Sequence, residues 1–153
     1  MVNTTAPWKR RRRENRHSEY GFTLVEILVV ITIIALIMAV AGPRVLNYLS
    51  ESKAKAAKIQ IESFANALDL YFLDAGQFPS SSEGLNALMR RPGSMAGWNG
   101  PYLKGNTLPT DPWGRPYVYR FPGQYGSYDI ISLGADGQEG GTGAAADITS
   151  WTR

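Results

Sequence analysis

Residues 21–43 read GFTLVEILVVITIIALIMAVAGP. Within them, residues 22–41 form an apolar run of twenty that carries a single charge, Glu26. At about 1.5 Å of rise per residue such a helix is about 30 Å long, the thickness of a bilayer core. A soluble helix that is apolar on every side needs a core around it, and the rest of this 153-residue chain cannot supply one of that size. A membrane-spanning helix over residues 22–42 is therefore expected.

Toward the N-terminus the composition reverses. Residues 1–21 carry six cations (Lys9, Arg10, Arg11, Arg12, Arg13 and Arg16) against Glu14 and Glu19. The remainder of the chain holds ten cations and eleven anions, so the net charge of +3 belongs to the leader. A nucleic-acid-binding body needs its basic patch on the folded domain, and the charge distribution argues against that class. Cations ahead of an apolar span predict a cytoplasmic N-terminus and a single-pass topology. A cleaved secretory signal has a shorter apolar stretch followed by a small-residue site, whereas this run ends in Gly42-Pro43-Arg44. The apolar segment is expected to be kept.

Toward the C-terminus the apolar run becomes amphipathic. Val45, Leu49, Ala56, Ile59, Phe64, Leu68 and Tyr71 or Phe72 recur at roughly helical spacing, with no Gly or Pro between Arg44 and Ala75. Gly76 then supplies a stop. One helix of about fifty residues is expected, kinked at Gly42-Pro43, where proline removes a backbone donor. Beyond it, residues 82–89 suggest a short helix with Leu85 and Leu88 inward. Residues 117–121 (YVYRF) and 128–133 (YDIISL) suggest strands joined by a turn at 122–126, and residues 134–146 a loop. Trp113, in a proline-flanked turn, is expected to anchor the core. So small a sheet needs the amphipathic half-helix across it. The fold class is α+β: a long N-terminal helix packed on a small antiparallel β-sheet with a C-terminal loop.

No cysteine is present, which excludes disulfides, thiolate zinc sites and cysteine nucleophiles. The one histidine, His17, lies in the leader, so residues 22–153 cannot build a Ser-His-Asp triad or a His-bound metal.

Chemistry concentrates at Gly21-Phe22-Thr23-Leu24-Val25-Glu26. The small Gly21 leaves room for a protease, and a cut after it would make Phe22 a new N-terminus. Glu26 would then stand one helical turn from an α-amine. A carboxylate inside a membrane helix costs about 2.5–3.5 kcal/mol on insertion scales and calls for a partner, here its own α-amine or that of a neighbouring copy.

This junction, preceded by Lys and Arg, resembles the class III signal of type IV pilins and type II secretion pseudopilins. The resemblance implies that a prepilin peptidase cuts after Gly21, that Phe22 becomes N-methylated, and that Glu26 is needed for assembly. It divides the chain into a leader (1–21), a transmembrane and filament-core helix (22–42) and a periplasmic domain (43–153). The periplasmic domain comprises the half-helix 44–75, a variable region 76–116, and the sheet and C-terminal loop 117–153.

Phe78-Pro79, Glu83-Gly84-Leu85-Asn86-Ala87-Leu88, Gly100-Pro101-Tyr102-Leu103, the run LPTDPWGRPY over residues 108–117 and YDIISLGADG over 128–137 resemble the G-type major pseudopilins. That family binds one calcium ion in its C-terminal loop through backbone carbonyls and aspartates. By position Leu133 would offer a carbonyl, Asp136 a carboxylate, and Asp147 another. Calcium takes six to eight oxygens, and glycine-rich backbone can turn carbonyls inward. Where relatives commonly carry further acids, this chain has Gly143 and Ala145.

The resemblance implies a structural, non-enzymatic role: the major subunit of a type II secretion pseudopilus, assembled from the bacterial inner membrane into a periplasmic helical homo-oligomer. Implied partners are minor pseudopilins, the prepilin peptidase, an inner-membrane assembly platform and the membrane itself, with no nucleic acid. The alternatives are a type IV pilus or competence subunit, for adhesion or DNA uptake, and a tethered enzyme using a carboxylate pair from Asp111, Asp129, Asp136, Glu139 and Asp147.

Overall fold

A computed structural model describes residues 21–93, 95 and 97–152. The basic leader and His17 lie outside the described residues. By its contacts the chain divides after Val40 into two compact units.

Helix α1 runs over Leu24–Ala75, 52 residues, with Pro43 inside it. Its first turn is built by Thr23, whose hydroxyl accepts the Glu26 N–H at 3.2 Å while its carbonyl accepts the Ile27 N–H at 3.2 Å. Gly76 ends it, donating its N–H to the Phe72 carbonyl at 2.8 Å with φ +73°. Over residues 24–40 the helix is exposed on every side, and it is long and apolar enough to cross a membrane.

In the second unit one stripe of α1 is closed to solvent: Ala57, Ile61, Phe64, Leu68 and Tyr71. It packs with Leu85, Ala87 and Leu88, from a 3₁₀ turn at Gly84–Leu88, and with Tyr117 and Ile130. Phe64 meets Tyr117 edge-on at 5.0 Å, an arrangement that aromatic quadrupoles favour. Fully burying a side chain such as Phe64 stabilises by about 1.5–3 kcal/mol.

The sequence stripe needs correcting. Phe64, Leu68 and Tyr71 are inward, but Val45, Leu49, Ala56, Ile59 and Phe72 are exposed. Approximate helical spacing had merged two stripes that lie on different sides of the helix.

Three short strands form an antiparallel sheet in the order β1-β2-β3: β1 over Val118–Arg120, β2 over Asp129–Ser132 and β3 over Ile148–Thr149. Tyr119 pairs with Ile130, and Ser132 pairs with Ile148. All four residues of β2 are buried, as suits the central strand. The strand β3 was not expected from the sequence. Two residues carry no readable periodicity, and pairing with β2 makes them a strand. The residues 134–146 are a loop, as read, with one 3₁₀ turn at Gly143–Ala145. Trp113 is half-buried beneath the Lys53 ammonium, 5.8 Å from its ring centroid, and not in the core. The turn that carries it points the indole at the helix surface.

Candidate functional site

Two regions hold the residues singled out from the sequence. At the N-terminal junction Gly21 is exposed, and a Cβ built on it would meet nothing within 4 Å. Nothing in the fold requires glycine there. Thr23 and Glu26 stand in the spacing of a capping box, Thr-x-x-Glu, in which the residue at the third helical position answers the N-cap. The backbone half of that box is made, by the Glu26 N–H on Thr23 Oγ1. Thr23 was not singled out from the sequence, although the capping pattern was there to be read.

The second region is the C-terminal loop with the turn that supports it. In that turn Asp111 Oδ1 accepts the N–H groups of Trp113 at 3.0 Å and Arg115 at 2.7 Å, and the Asp111 N–H donates to the Arg115 carbonyl at 2.8 Å. Asp111 Oδ2 accepts the buried Ser132 hydroxyl at 2.7 Å, fixing the turn to the end of β2. From this base the Arg115 guanidinium donates Nη1–H to the Gly134 carbonyl at 2.5 Å and Nη2–H to that of Ala135 at 3.1 Å.

Within the loop the Leu133 carbonyl accepts the Gly137 N–H at 3.0 Å, and Asp136 Oδ1 accepts that of Gln138 at 3.1 Å. The other end closes through Asp147, whose Oδ2 accepts the Gly140 N–H at 2.9 Å. Gly134 is positioned at φ +57°, with the Ala146 carbonyl oxygen 2.7 Å from where a Cβ would stand. Only glycine fits between the two limbs of the loop.

The remaining acids are engaged. Glu139 is ion-paired with Arg120, and Asp129, 1% exposed, gathers the N–H groups of Gln124 and Tyr125 to close the β1–β2 turn.

The chemistry of the loop can be set against what calcium asks. Among the described residues Asp147 Oδ1 is closed to solvent and has no hydrogen-bond partner, the situation of an oxygen that a cation would satisfy. Leu133 and Asp136 bring oxygens already engaged once, with lone pairs to spare. Among the described residues no three His, Cys, Asp or Glu side chains cluster. Carbonyl and carboxylate oxygens are the kind calcium accepts, but carboxylates are few here.

Sequence reasoning missed Asp111 as the clamp of its turn and Arg115 as the link to the loop. An aspartate two residues before Trp113 and three before Gly114 is a turn signal. No local pattern announces that a side chain reaches carbonyls 19 and 20 positions onward.

Residues 44–151 match the family described as type II secretion system (T2SS), protein G, and residues 16–42 match the prokaryotic N-terminal methylation motif. The type II secretion system core protein G of Pseudomonas aeruginosa is 44% identical over 140 residues, covering 89% of this chain and 97% of that protein. That of Vibrio cholerae is 41% identical over 134 residues, covering 86% and 90%. A solved structure, the major pseudopilin from the type 2 secretion system of enterohaemorrhagic Escherichia coli, aligns with TM-score 0.59 at 30% identity, covering 71% of this chain and 94% of that one.

Proposed function

This chain belongs to the type II secretion system protein G family and is a major pseudopilin, and on that premise we propose that its work is mechanical: identical copies leave the membrane and stack into a filament. The carrying observation is the second apolar stripe of α1. Val45, Leu49, Ala56, Ile59, Leu70 and Leu73 are exposed and fall within about a third of the helix circumference. They lie about 140° round the helix from the stripe that holds the sheet. Among the described residues nothing covers them, and the same stripe on a second copy, interrupted by Ser52, Ser63 and Asn66, would supply apolar surface to do so. A heterologous contact of this kind does not close on itself and so yields a filament.

The N-terminal helix anchors the protein in the inner membrane. Extracting it from lipid forfeits its burial, and packing against other copies restores it. By the positive-inside rule the leader stays in the cytoplasm and residues 43–153 enter the periplasm. Prepilin peptidase would cut after Gly21, leaving Phe22 for methylation. The Glu26 carboxylate would meet an α-amine, its own or a neighbour's, and so set the register between copies. Minor pseudopilins and the inner-membrane assembly platform are the remaining proposed partners.

Of the donors the resemblance implies, Leu133, Asp136 and Asp147, calcium, where bound, would rest on Asp147, whose Oδ1 is the unmet oxygen. It would supply the charge that holds the loop's second half.

A photo-cross-linking phenylalanine analogue tests the interface. Placed at Ile59 in the full chain expressed with the secretion machinery, it should give adducts at multiples of the subunit mass. At the buried Ile130 it should give none. A chain that remains monomeric from Ile59, Leu49 and Leu70 alike would exclude this stripe as the contact.

A further inference from the structure

We propose that Arg115 is the built-in cation of the C-terminal loop: it holds residues 133–138 in shape without a metal ion, so that only the second half, around Asp147, answers to calcium. The guanidinium spans the carbonyl oxygens of Gly134 at 2.5 Å and Ala135 at 3.1 Å. The Leu133 carbonyl is taken by the Gly137 N–H at 3.0 Å. Three successive carbonyls, the groups a calcium loop would turn toward its ion, thus each accept a hydrogen bond from the protein itself.

Space is committed in the same way. A Cβ on Gly137 would stand 2.7 Å from Arg115 Cζ and Nε, so the backbone of Gly137, at φ +72°, lies too close to the guanidinium to admit a side chain. Arginine suits this place because its charge is permanent and its planar fork serves two acceptors at once. A divalent ion among the same carbonyls would lie within a few ångströms of that charge, where repulsion is weakly screened.

The backbone that carries the guanidinium is itself held in place. The Arg115 N–H donates to Asp111 Oδ1 at 2.7 Å, and Asp111 Oδ2 accepts the Ser132 hydroxyl at 2.7 Å. The second half of the loop has no such internal cation. There Asp147 Oδ1 is buried without a partner. Among the described residues no three acidic side chains gather there to draw an ion, and a fixed arginine does the gathering.

The part of this proposal that concerns Asp147 rests on the calcium reading; the part that concerns Arg115 does not. Hydrogen exchange of the full chain in detergent, read by mass spectrometry with millimolar calcium and with EDTA, separates them. In the wild type, exchange in residues 133–138 should be the same in both conditions, while residues 140–147 exchange faster in EDTA. Arg115→Ala should speed exchange in 133–138 by about ten- to a hundredfold, the factor expected for one or two lost hydrogen bonds to a charged group. Calcium should slow it again in that variant alone. Arg115→Lys, which keeps the charge without the fork, should fall between, and is read in the same way if the alanine variant does not accumulate. Wild-type residues 133–138 opening in EDTA would overturn the proposal, as would unchanged exchange there in Arg115→Ala. Indifference of residues 140–147 to calcium would overturn the calcium reading and leave the role of Arg115 standing.

Discussion

The carboxylate of Asp111 and the hydroxyl of Ser132 meet at 2.7 Å inside the domain, at 4% and 0% exposure. One aspartate thereby serves three donors: the Ser132 hydroxyl and the N–H groups of Trp113 and Arg115. Asp111→Ala strands all three and should cost about 2–4 kcal/mol, since each buried donor left unpaired costs about 1–3 and relaxation recovers part. Ser132→Ala, which leaves the carboxylate with its two backbone donors, should cost about 1 kcal/mol. Denaturant unfolding of both variants tests the ranking, and equal losses would count against the clamp.

Tyr117 is buried beside that clamp, and its hydroxyl has no partner. Burial, and secondarily the Asp111 carboxylate, push its phenol up from 10 to about 12. Below pH 10 the folded and unfolded chains both keep the proton. Between 10 and about 12 the unfolded chain releases it and the folded chain does not, so stability should fall as pH rises through that window. Burial also raises Tyr71, Tyr119 and Tyr128, which steepens the fall. Tyr117→Phe keeps the edge-on contact with Phe64, so it should be neutral or gain about 1 kcal/mol at pH 7 and should flatten the alkaline slope. An unaltered slope in that variant would show that Tyr117 is not among the groups responsible.

Much of this architecture is legible in the residues. An apolar run with one charge, a glycine stop after Ala75 and two aromatic β-branched segments give α1, β1 and β2 directly. The inward stripe was misplaced because Val45, Leu49 and Ile59 share approximate helical spacing with Phe64 and Leu68. Which apolar stripe faces the sheet is decided by tertiary packing. β3 was invisible because two residues become a strand only through their partner. The N-terminal methylation motif is local and could be read. The support of the loop runs from Arg115 to Gly134 and from Asp111 to Ser132, pairings that no sequence spacing encodes.

The fold leaves Gly21 unconstrained, with open space where a Cβ would stand. Gly21→Leu should therefore fold and insert normally yet accumulate as uncut precursor, because a protease pocket that fits glycine excludes a branched side chain. Mass spectrometry of the membrane fraction should find an intact leader in the variant and an N-methylated Phe22 in the wild type. Normally processed protein from Gly21→Leu would remove the cleavage assignment.

Glu26 stands both in a capping box with Thr23 and where an α-amine would come within reach, and two substitutions separate these roles. Glu26→Gln preserves the capping geometry but not the charge. Thr23→Val removes the hydroxyl that accepts the Glu26 N–H and should cost the first turn about 1 kcal/mol. If pairing with an amine carries assembly, Glu26→Gln should lose secretion and filament yield as fully as Glu26→Ala, while Thr23→Val largely retains them. The reverse order would make Glu26 a helix cap and nothing more.

Asp147 rather than Asp136 is the acid on which calcium should depend most. Asp136 is exposed, so solvent can reach its free oxygen, whereas Asp147 Oδ1 is shut away with no donor among the described residues. Leaving it unpaired penalises the folded state, and a cation relieves that penalty. At 100 times its dissociation constant calcium should add about 2.7 kcal/mol. For a chain of this size that raises the melting temperature by several degrees. Asp147→Asn should abolish the rise, Asp136→Ala should leave it in place, and Asp129→Asn, in the β1–β2 turn, should lower the baseline without changing the response. Magnesium demands a tight octahedron and retains its waters, so it should not substitute. Full-chain melting in detergent with calcium, magnesium or EDTA reads all of these together. A curve indifferent to calcium in the wild type would mean that Asp147 is held by the fold alone, and Asp147→Asn should then stabilise the protein, because a neutral amide tolerates burial without a partner better than a carboxylate does.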